Sequence, residues 1–490
     1  MTKKLFTGIG IGHLIVFIGI LVAVPLLVLP FYPEEAHYGP AFAIPSLVSV
    51  VAGVIVCKFS KRDDDVSHRL VNIQNSSLTV LFAWVYGFGA GAVPFIIEGG
   101  LSPLNALFEA VSGWTSTGLT VVDVSVLPHI FLFHRSFMQF CGGLGFVLVI
   151  LMFVRGKQSM ILYNAEGHTD RVAANLKDSA QIIFLMYGGV MMVGTMLYRL
   201  FGMSFFDALL HSMSALSTGG FSTRANSIGA YDSLAIEVVT IILMLIGSTN
   251  FALLLLLARR KWKRVLRSSE LRLMLAFFVF AIPSVALSLA GTGMRGGEAF
   301  RFSAFNLIAA LTTAGFTTID FNGLPYFVLG VFMVFLFIGG GIGSTAGGLK
   351  ISRVVILLRV AMHTLKKKIS PSKNVKILHY YKAQGKTAID AEIIADTAGV
   401  FLAYLIIFII GTLILTATGE YTLLQAGFEF SAALSSGGVS MGVVSAESSV
   451  ITLVTIIVGM ILGRLEIFIV FIGIYSGWMV LKRKAYKMLV

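Results

Sequence analysis

Long apolar runs separated by short polar and basic stretches dominate the chain from one end to the other. Runs of about 20 residues, enough for a helix to cross a bilayer, fall near residues 11–31, 40–57, 77–97, 131–154, 180–200, 233–257, 271–293, 326–360, 393–416 and 451–480. Between them lie four shorter apolar stretches at 103–116, 205–216, 300–312 and 423–434. At about 1.5 Å per residue, a dozen helical residues reach only half way through the hydrocarbon. The pattern predicts ten spans and four re-entrant helices. Helix-start chemistry agrees: Ser102 precedes Pro103, while Ser204 with Asp207 and Thr422 with Gln425 have capping-box spacing. The third stretch, around Glu298 to Phe302, has no such cap.

Each short stretch ends on a variant of one motif. WTSTGLT (Trp114–Thr120), LSTGGFS (Leu216–Ser222), LTTAGFT (Leu311–Thr317) and LSSGGVS (Leu434–Ser440) align with Gly118, Gly220, Gly315 and Gly438 in one column, at intervals of 102, 95 and 123 residues. Such a recurrence marks one supersecondary unit used four times. The unit reads span, re-entrant helix, motif, span. Residues 1–70 form a leading pair of helices, and 71–170, 171–265, 266–385 and 386–490 form the four repeats. The expected fold class is an all-α polytopic membrane protein, with four pseudo-repeats of span, re-entrant pore helix, filter loop and span around one pore, plus the two leading transmembrane helices.

Composition narrows the class. Hydrophobic residues make up 57% and charged residues 12% of 490 positions, more apolar surface than a soluble core absorbs. The net charge of +13 fits anionic lipid and basic cytoplasmic loops, not nucleic acid. All but six of the 37 Lys and Arg residues lie at the termini or in 58–76, 155–178, 258–272 and 350–392. Arg135, Arg199, Arg224, Arg295 and Arg301 fall on the opposite side, and Arg464 falls within a span. The positive-inside rule then puts both termini in the cytoplasm, in a multi-pass plasma-membrane protein, and the four motifs in the external half. The run Ile9–Leu29 is longer than the core of a signal peptide and reads as a retained span. Cys57 and Cys141 read as buried free thiols, and His134 and His211 as polar interfacial residues without metal spacing. Gln139, beside Gly142, Gly143 and Gly145, and Asn250 read as helix-packing residues. The segment 361–392 is too short for a nucleotide-binding domain.

Irregular backbone at membrane depth must be buried in protein or line a watery cavity. Four such loops about one axis enclose a pore. Glycine tolerates positive φ and leaves the hole open, and carbonyl oxygens replace the hydration shell of a cation. The partially negative C-terminal ends of the short helices point the same way. Candidate filter positions are Thr117 and Gly118; Thr218, Gly219 and Gly220; Thr313, Ala314 and Gly315; and Ser436, Gly437 and Gly438. Close packing alone explains one Ser/Thr/Gly cluster, but not four in register. No acidic ring recurs, which favours carbonyls over carboxylates. A second feature is GGGIGSTAGG, Gly339 to Gly348, which interrupts the 326–360 span with six glycines in ten residues. Each costs about 1 kcal/mol relative to Ala in a helix, so the stretch unwinds and borders the pore below the third loop. Its residues of interest are Gly339, Gly340, Gly341, Gly343, Ser344, Thr345, Gly347 and Gly348, with Arg464 in the last span. An arginine at the centre of a span costs at least about 2.5–3.5 kcal/mol, which implies a functional role or a structural pairing with helix carbonyls or an acidic residue elsewhere. Glu466, two positions on, points to another helix face. Gly341–Ala346 fits a dinucleotide pattern without the preceding strand, and Leu349 stands where a P-loop needs lysine. Nothing marks an enzyme.

FEAVSGWTSTGLT, ALSTGGFST, ALTTAGFTT, GGGIGSTAGGLKISR and GRLEIF together resemble the Trk/Ktr/HKT superfamily of potassium transporters, and the leading helix pair is most similar to its bacterial and archaeal TrkH/TrkG branch. The resemblance implies that the aligned glycines form the selectivity filter. Relatives with serine in the first loop favour sodium, so Gly118 implies potassium. The fourth loop, SSGGVSMG, departs most from the family form. The resemblance also implies that Gly339–Gly348 is a movable intramembrane gate, with Arg464 projecting toward the pore beside it. No cofactor is implied in this chain; K+ is the transported ion. Implied partners are a second copy in a homodimer and a cytosolic TrkA-like NAD/ATP-binding regulatory subunit. That subunit would dock on basic runs such as Lys366–Lys368 and Arg259–Arg264, which alternatively contact anionic membrane lipids. Membrane potential suffices as driving force, since about 2.3 kcal/mol per 100 mV is roughly fiftyfold accumulation. Two further readings stay open: the ion-conducting subunit of an ATP-driven potassium pump of the KdpA type, and sodium- or proton-coupled symport.

Overall fold

The computed structural model describes residues 8–59, 73–145, 176–369 and 377–489. A leading pair, α1 (Gly8–Ala23) and α2 (Gly39–Phe59), is joined by two 3₁₀ turns at Val24–Phe31 and Pro33–Tyr38. The two helices touch backbone to backbone, because a Cβ on Gly53 would stand 2.7 Å from the Gly12 carbonyl oxygen. The linker also fastens the pair to the first repeat. Glu35, although a carboxylate, is buried, and it accepts from the backbone N–H groups of His129 (2.8 Å) and Ile130 (2.9 Å). These are the first residues of a later helix, whose unpaired N–H groups and positive end suit an anion. Tyr32 stacks on the His129 ring at 3.8 Å.

The first repeat comprises α3 (Ile73–Ile97), α4 (Pro103–Trp114) and α5 (His129–Leu144). The second comprises α6 (Leu176–Leu200), α7 (Phe205–Leu216), α8 (Leu234–Gly247) and α9 (Phe251–Ala258). The third comprises α10 (Ser269–Ala290), α11 (Gly296–Leu311), α12 (Tyr326–Ile338) and α13 (Ile351–Ile369). The fourth comprises α14 (Ala391–Ala417), α15 (Leu423–Ser435), α16 (Val450–Arg464) and α17 (Ile467–Leu489). Among the described residues, six stretches are long and apolar enough to cross a membrane, and counting each of the bent pairs α8/α9 and α16/α17 as one span brings the number to eight. Of the other two expected spans, 131–154 leaves the described residues after Gly145, and 326–360 breaks at its glycines. On α10, Phe280 and Leu287 are each 77% exposed; apolar surface of that kind calls for lipid rather than water.

The short helices α4, α7 and α15 begin where their caps predict. Ser102 accepts from the Asn105 N–H, Ser204 from the Asp207 N–H, and Thr422 with Gln425 forms a complete capping box. α11 has no side-chain cap and starts at Gly296, four residues before the expected 300.

Two further expectations are corrected. The runs 233–257 and 451–480 are not continuous helices: they bend by 111° and 103°. At the first bend Asn250 starts a new helix, its Oδ1 accepting from the Ala252 N–H at 2.7 Å. At the second, Glu466 takes a left-handed φ of 57° and its carboxylate pairs with Arg353 at 2.8 Å. The segment 361–392, mostly outside the bilayer by composition, contains an antiparallel hairpin, Leu378–Lys382 with Gly385–Ile389. It is held to α10 by a bond from the Tyr381 N–H to Ser269 Oγ at 3.0 Å. Neither cysteine is in a disulfide; Cys141 is buried as expected, whereas Cys57 is only half-buried. The basic stretches 58–76 and 155–178 lie largely outside the described residues.

Candidate ion-conduction site

All four short helices end in the same way. Two residues before the aligned glycine, Ser116, Thr218, Thr313 and Ser436 take φ of 50°, 52°, 53° and 55°. Their N–H groups bond three residues back, to Gly113, Ala215, Ala310 and Ala433. The next N–H, of Thr117, Gly219, Ala314 and Gly437, bonds five residues back, to Ser112, Ser214, Ala309 and Ala432. This is a Schellman ending, in which the left-handed position is normally glycine. Here it is a hydroxyl residue each time, at a cost of about 1–2 kcal/mol. Gly118, Gly220, Gly315 and Gly438 then take φ of 98°, 76°, 72° and 63°.

The glycines also explain how the loops meet. A Cβ on Gly118 would collide with the Gly219 carbonyl oxygen, one on Gly220 with that of Ala314, and one on Gly438 with that of Thr117. On Gly315 it would stand 2.9 Å from that of Gly437. Loop one thus abuts loop two, two abuts three, three abuts four, and four abuts one. Four segments far apart in sequence close a ring. The missing side chains therefore serve contact between neighbouring loops, where the sequence suggested only an unobstructed hole. One outer cavity of about 620 Å³ is bordered by all four glycines. Asp123 and Asp320 line it from the first and third repeats and Arg224 from the second, so no acidic ring surrounds it.

A second aligned column, nine residues before the glycine, holds the chain where it leaves the ring. Glu109 Oε1 accepts from Thr120 Oγ1 (2.6 Å) and the Val121 N–H (2.7 Å). Glu429 accepts from Ser440 Oγ (2.7 Å) and the Met441 N–H (3.0 Å). Asn306 donates to Thr318 Oγ1 and accepts from the Thr318 N–H. His211 Nδ1 donates to the Asp207 carbonyl, leaving Nε2 to accept from Ser222 Oγ at 2.9 Å. His211 is therefore buried behind the second loop and not interfacial; His134 is likewise buried, with Nε2 on the Gly91 carbonyl. Glu109 also pairs with fully buried Arg135 (3.0 Å), whose guanidinium lies 3.9 Å over the Phe221 ring of the next loop. Reading Glu, His, Asn and Glu in one column would have exposed this set. Their chemical dissimilarity hid it.

The glycine-rich segment unwinds between α12 and α13 and lies against the ring. Thr345 Oγ1 meets Thr218 Oγ1 at 3.1 Å, the Gly347 N–H donates to Thr313 Oγ1 at 2.8 Å, and a Cβ on Gly347 would collide with the Ser435 carbonyl. The break between α8 and α9 satisfies much of its backbone: Gly341 and Thr345 N–H groups donate to the Ser248 and Gly247 carbonyls (both 3.0 Å), the Phe251 N–H donates to Gly343 (3.1 Å), and Asn250 Nδ2 donates to Ile342 (2.7 Å). Gly339, Gly343 and Gly348 take positive φ, and Ser344 Oγ closes the turn on the Gly341 carbonyl. Gly340 stands against Ser248, with the Cβ of Ala346 beside it. Ile342, Gly343, Ser344, Lys350, Arg464 and Glu466 line a second cavity, of about 70 Å³. Arg464, at the end of α16, donates to the Thr345 carbonyl (2.6 Å) and to the α5 carbonyls of Gly142 (2.5 Å) and Gly143 (2.9 Å). It is thus paired with carbonyls while touching the glycine-rich loop directly.

The family described as TrkH, cation transport protein, matches residues 49–475. A Methanocaldococcus jannaschii protein described as an uncharacterized cation transporter is 30% identical over 473 residues, 95% of each chain. The Trk system potassium uptake protein TrkH of Escherichia coli (strain K12) is 30% identical over 473 residues, 94% of this chain and 95% of its own. The crystal structure of the potassium transporter TrkH from Vibrio parahaemolyticus is similar with a TM-score of 0.82 at 28% identity, covering 96% of this chain and 98% of that one.

Proposed function

The chain belongs to the TrkH family of cation transport proteins, and from that premise we propose that it carries potassium inward across the plasma membrane through the ring of four loops. The observation that supports this best is the ring's closure: each aligned glycine abuts the carbonyl oxygen of the following loop, and the fourth abuts the first. Backbone oxygens held in a closed ring replace the water around a monovalent cation without a carboxylate. The short helices aim their negative ends at the same place. The filter then consists of Thr117, Gly118, Thr218, Gly219, Gly220, Thr313, Ala314, Gly315, Ser436, Gly437 and Gly438. Gly339–Gly348 is the gate, tied to the ring by the bonds of Thr345 to Thr218 and of Gly347 to Thr313, and Arg464 adds a fixed positive charge beside it. Membrane potential drives uptake. With both termini cytoplasmic, a TrkA-like nucleotide-binding subunit docks on the basic cytoplasmic runs of a homodimer.

The test is voltage-driven uptake of radioactive rubidium into liposomes holding the purified protein. Wild type takes up rubidium. Gly220→Ala, whose methyl group strikes the Ala314 carbonyl, loses uptake by about a hundredfold, as a displacement worth about 3 kcal/mol implies. Undiminished uptake by Gly220→Ala contradicts the reading.

A further inference from the structure

Gln139 of α5 is wholly buried and commits both ends of its amide to the second loop. Nε2 donates to the Gly219 carbonyl oxygen at 2.7 Å, and Oε1 accepts from the Phe221 N–H at 3.1 Å. The two bonds bracket Gly220. The third repeat offers a direct comparison, because Leu336 follows Gly315 by the same 21 residues that separate Gln139 from Gly118. Leu336 packs on Gly437 as Gln139 packs on Gly219: a Cβ on either glycine would collide with that side chain. Leucine therefore satisfies the shape of the position, and what glutamine adds is a donor and an acceptor. The oxygen its donor takes is the one that stands against Gly118. That carbonyl is held from two sides, by an amide behind it and a glycine beside it.

We propose that Gln139 is a positioning residue for ion selection, which fixes the Gly219 peptide so that the second loop cannot close inward around a smaller cation. The proposal rests on the ring acting as the filter. A ring of carbonyls favours the larger ion only while its oxygens stay apart, and a pair of hydrogen bonds from a buried, immobile side chain supplies that stiffness. A Gly118→Ser substitution would place a Cβ against the same Gly219 oxygen that Gln139 binds.

The experiment measures potassium and sodium flux into liposomes for wild type, Gln139→Leu, Gln139→Met, Gly118→Ser and the double variant Gly118→Ser/Gln139→Leu. Gln139→Met keeps the side-chain length and removes only the amide, so the test survives a failure of Gln139→Leu to assemble. Loss of the two bonds lowers the potassium-to-sodium flux ratio by about tenfold while potassium flux stays within about threefold of wild type. Adding Gly118→Ser to Gln139→Leu changes the ratio by less than about twofold, since both act on one oxygen. A ratio unchanged in both Gln139 variants, with or without a lower melting temperature, overturns the proposal, as does full additivity in the double variant. A wild type that does not distinguish the two ions overturns the filter reading itself.

Discussion

Each ring loop is fastened by a polar side chain whose partner is the chain just past the glycine, and the strongest of these attachments is ionic. Glu109 and Arg135 are 0% and 1% exposed. Removing one partner of such a pair leaves a buried charge uncompensated, a loss of about 3–5 kcal/mol. Glu109→Ala is therefore expected to prevent stable assembly, whereas Glu429→Gln, which keeps acceptor and shape without stranding a cation, costs about 1 kcal/mol. Thermal unfolding in detergent measures both; equal melting of Glu109→Ala and wild type would refute the ranking. At this scale the sequence was only partly informative. Gly118, Gly220, Gly315 and Gly438 were recognisable because glycine is the one residue that tolerates both their φ and their neighbours. Glu109, His211, Asn306 and Glu429 were not, because accepting a hydrogen bond is a task that four different side chains perform. Gln139 read as helix packing, since a partner 80 residues away leaves no local signature.

Among the elements, the glycine-rich loop shows how three helix interruptions fit together. Its own unwinding was legible, because six glycines in ten residues cannot sustain a helix. The breaks at Ser248–Asn250 and Leu465–Glu466 were not, because the apolar runs on either side are continuous and neither break contains glycine or proline. They make sense only beside the loop: the first supplies carbonyls and N–H groups to Gly341, Gly343 and Thr345, and the second ends α16 so that Arg464 reaches the Thr345 carbonyl. Arg464→Ala removes three donated bonds and a positive charge from the inner side of the ring. In liposomes without any partner it is expected to raise potassium flux several-fold, because removing about 1 kcal/mol from the closed arrangement shifts its population by about fivefold. Unchanged or abolished flux in a variant that still melts like wild type would contradict its role as a latch.

For the molecule as a whole, periodicity conveyed the plan and left the assembly open. The four half-length helices and their loops were visible as a repeat, since three of them begin with cap chemistry and all four end on the same glycine. Their cyclic order was not, because contacts between loops about a hundred residues apart leave no mark on hydrophobic spacing. The hairpin at Leu378–Ile389 was missed for another reason: two five-residue strands amid basic residues fall below any periodic signal. The linker carboxylate Glu35 was missed as well, since its partners lie 94 and 95 residues away. What unites these observations is a closed ring of four loops with the glycine-rich segment bonded against it. The most direct test is isotope flux into liposomes, comparing potassium, rubidium, sodium and lithium, for wild type and Gly118→Ser. Potassium and rubidium flux exceeding sodium and lithium flux in wild type, with total flux falling in Gly118→Ser, whose Cβ strikes the Gly219 carbonyl as that of Gly220→Ala strikes Ala314, and the sodium share of the remainder rising, is the predicted result; equal flux of all four ions through the wild-type protein would contradict it.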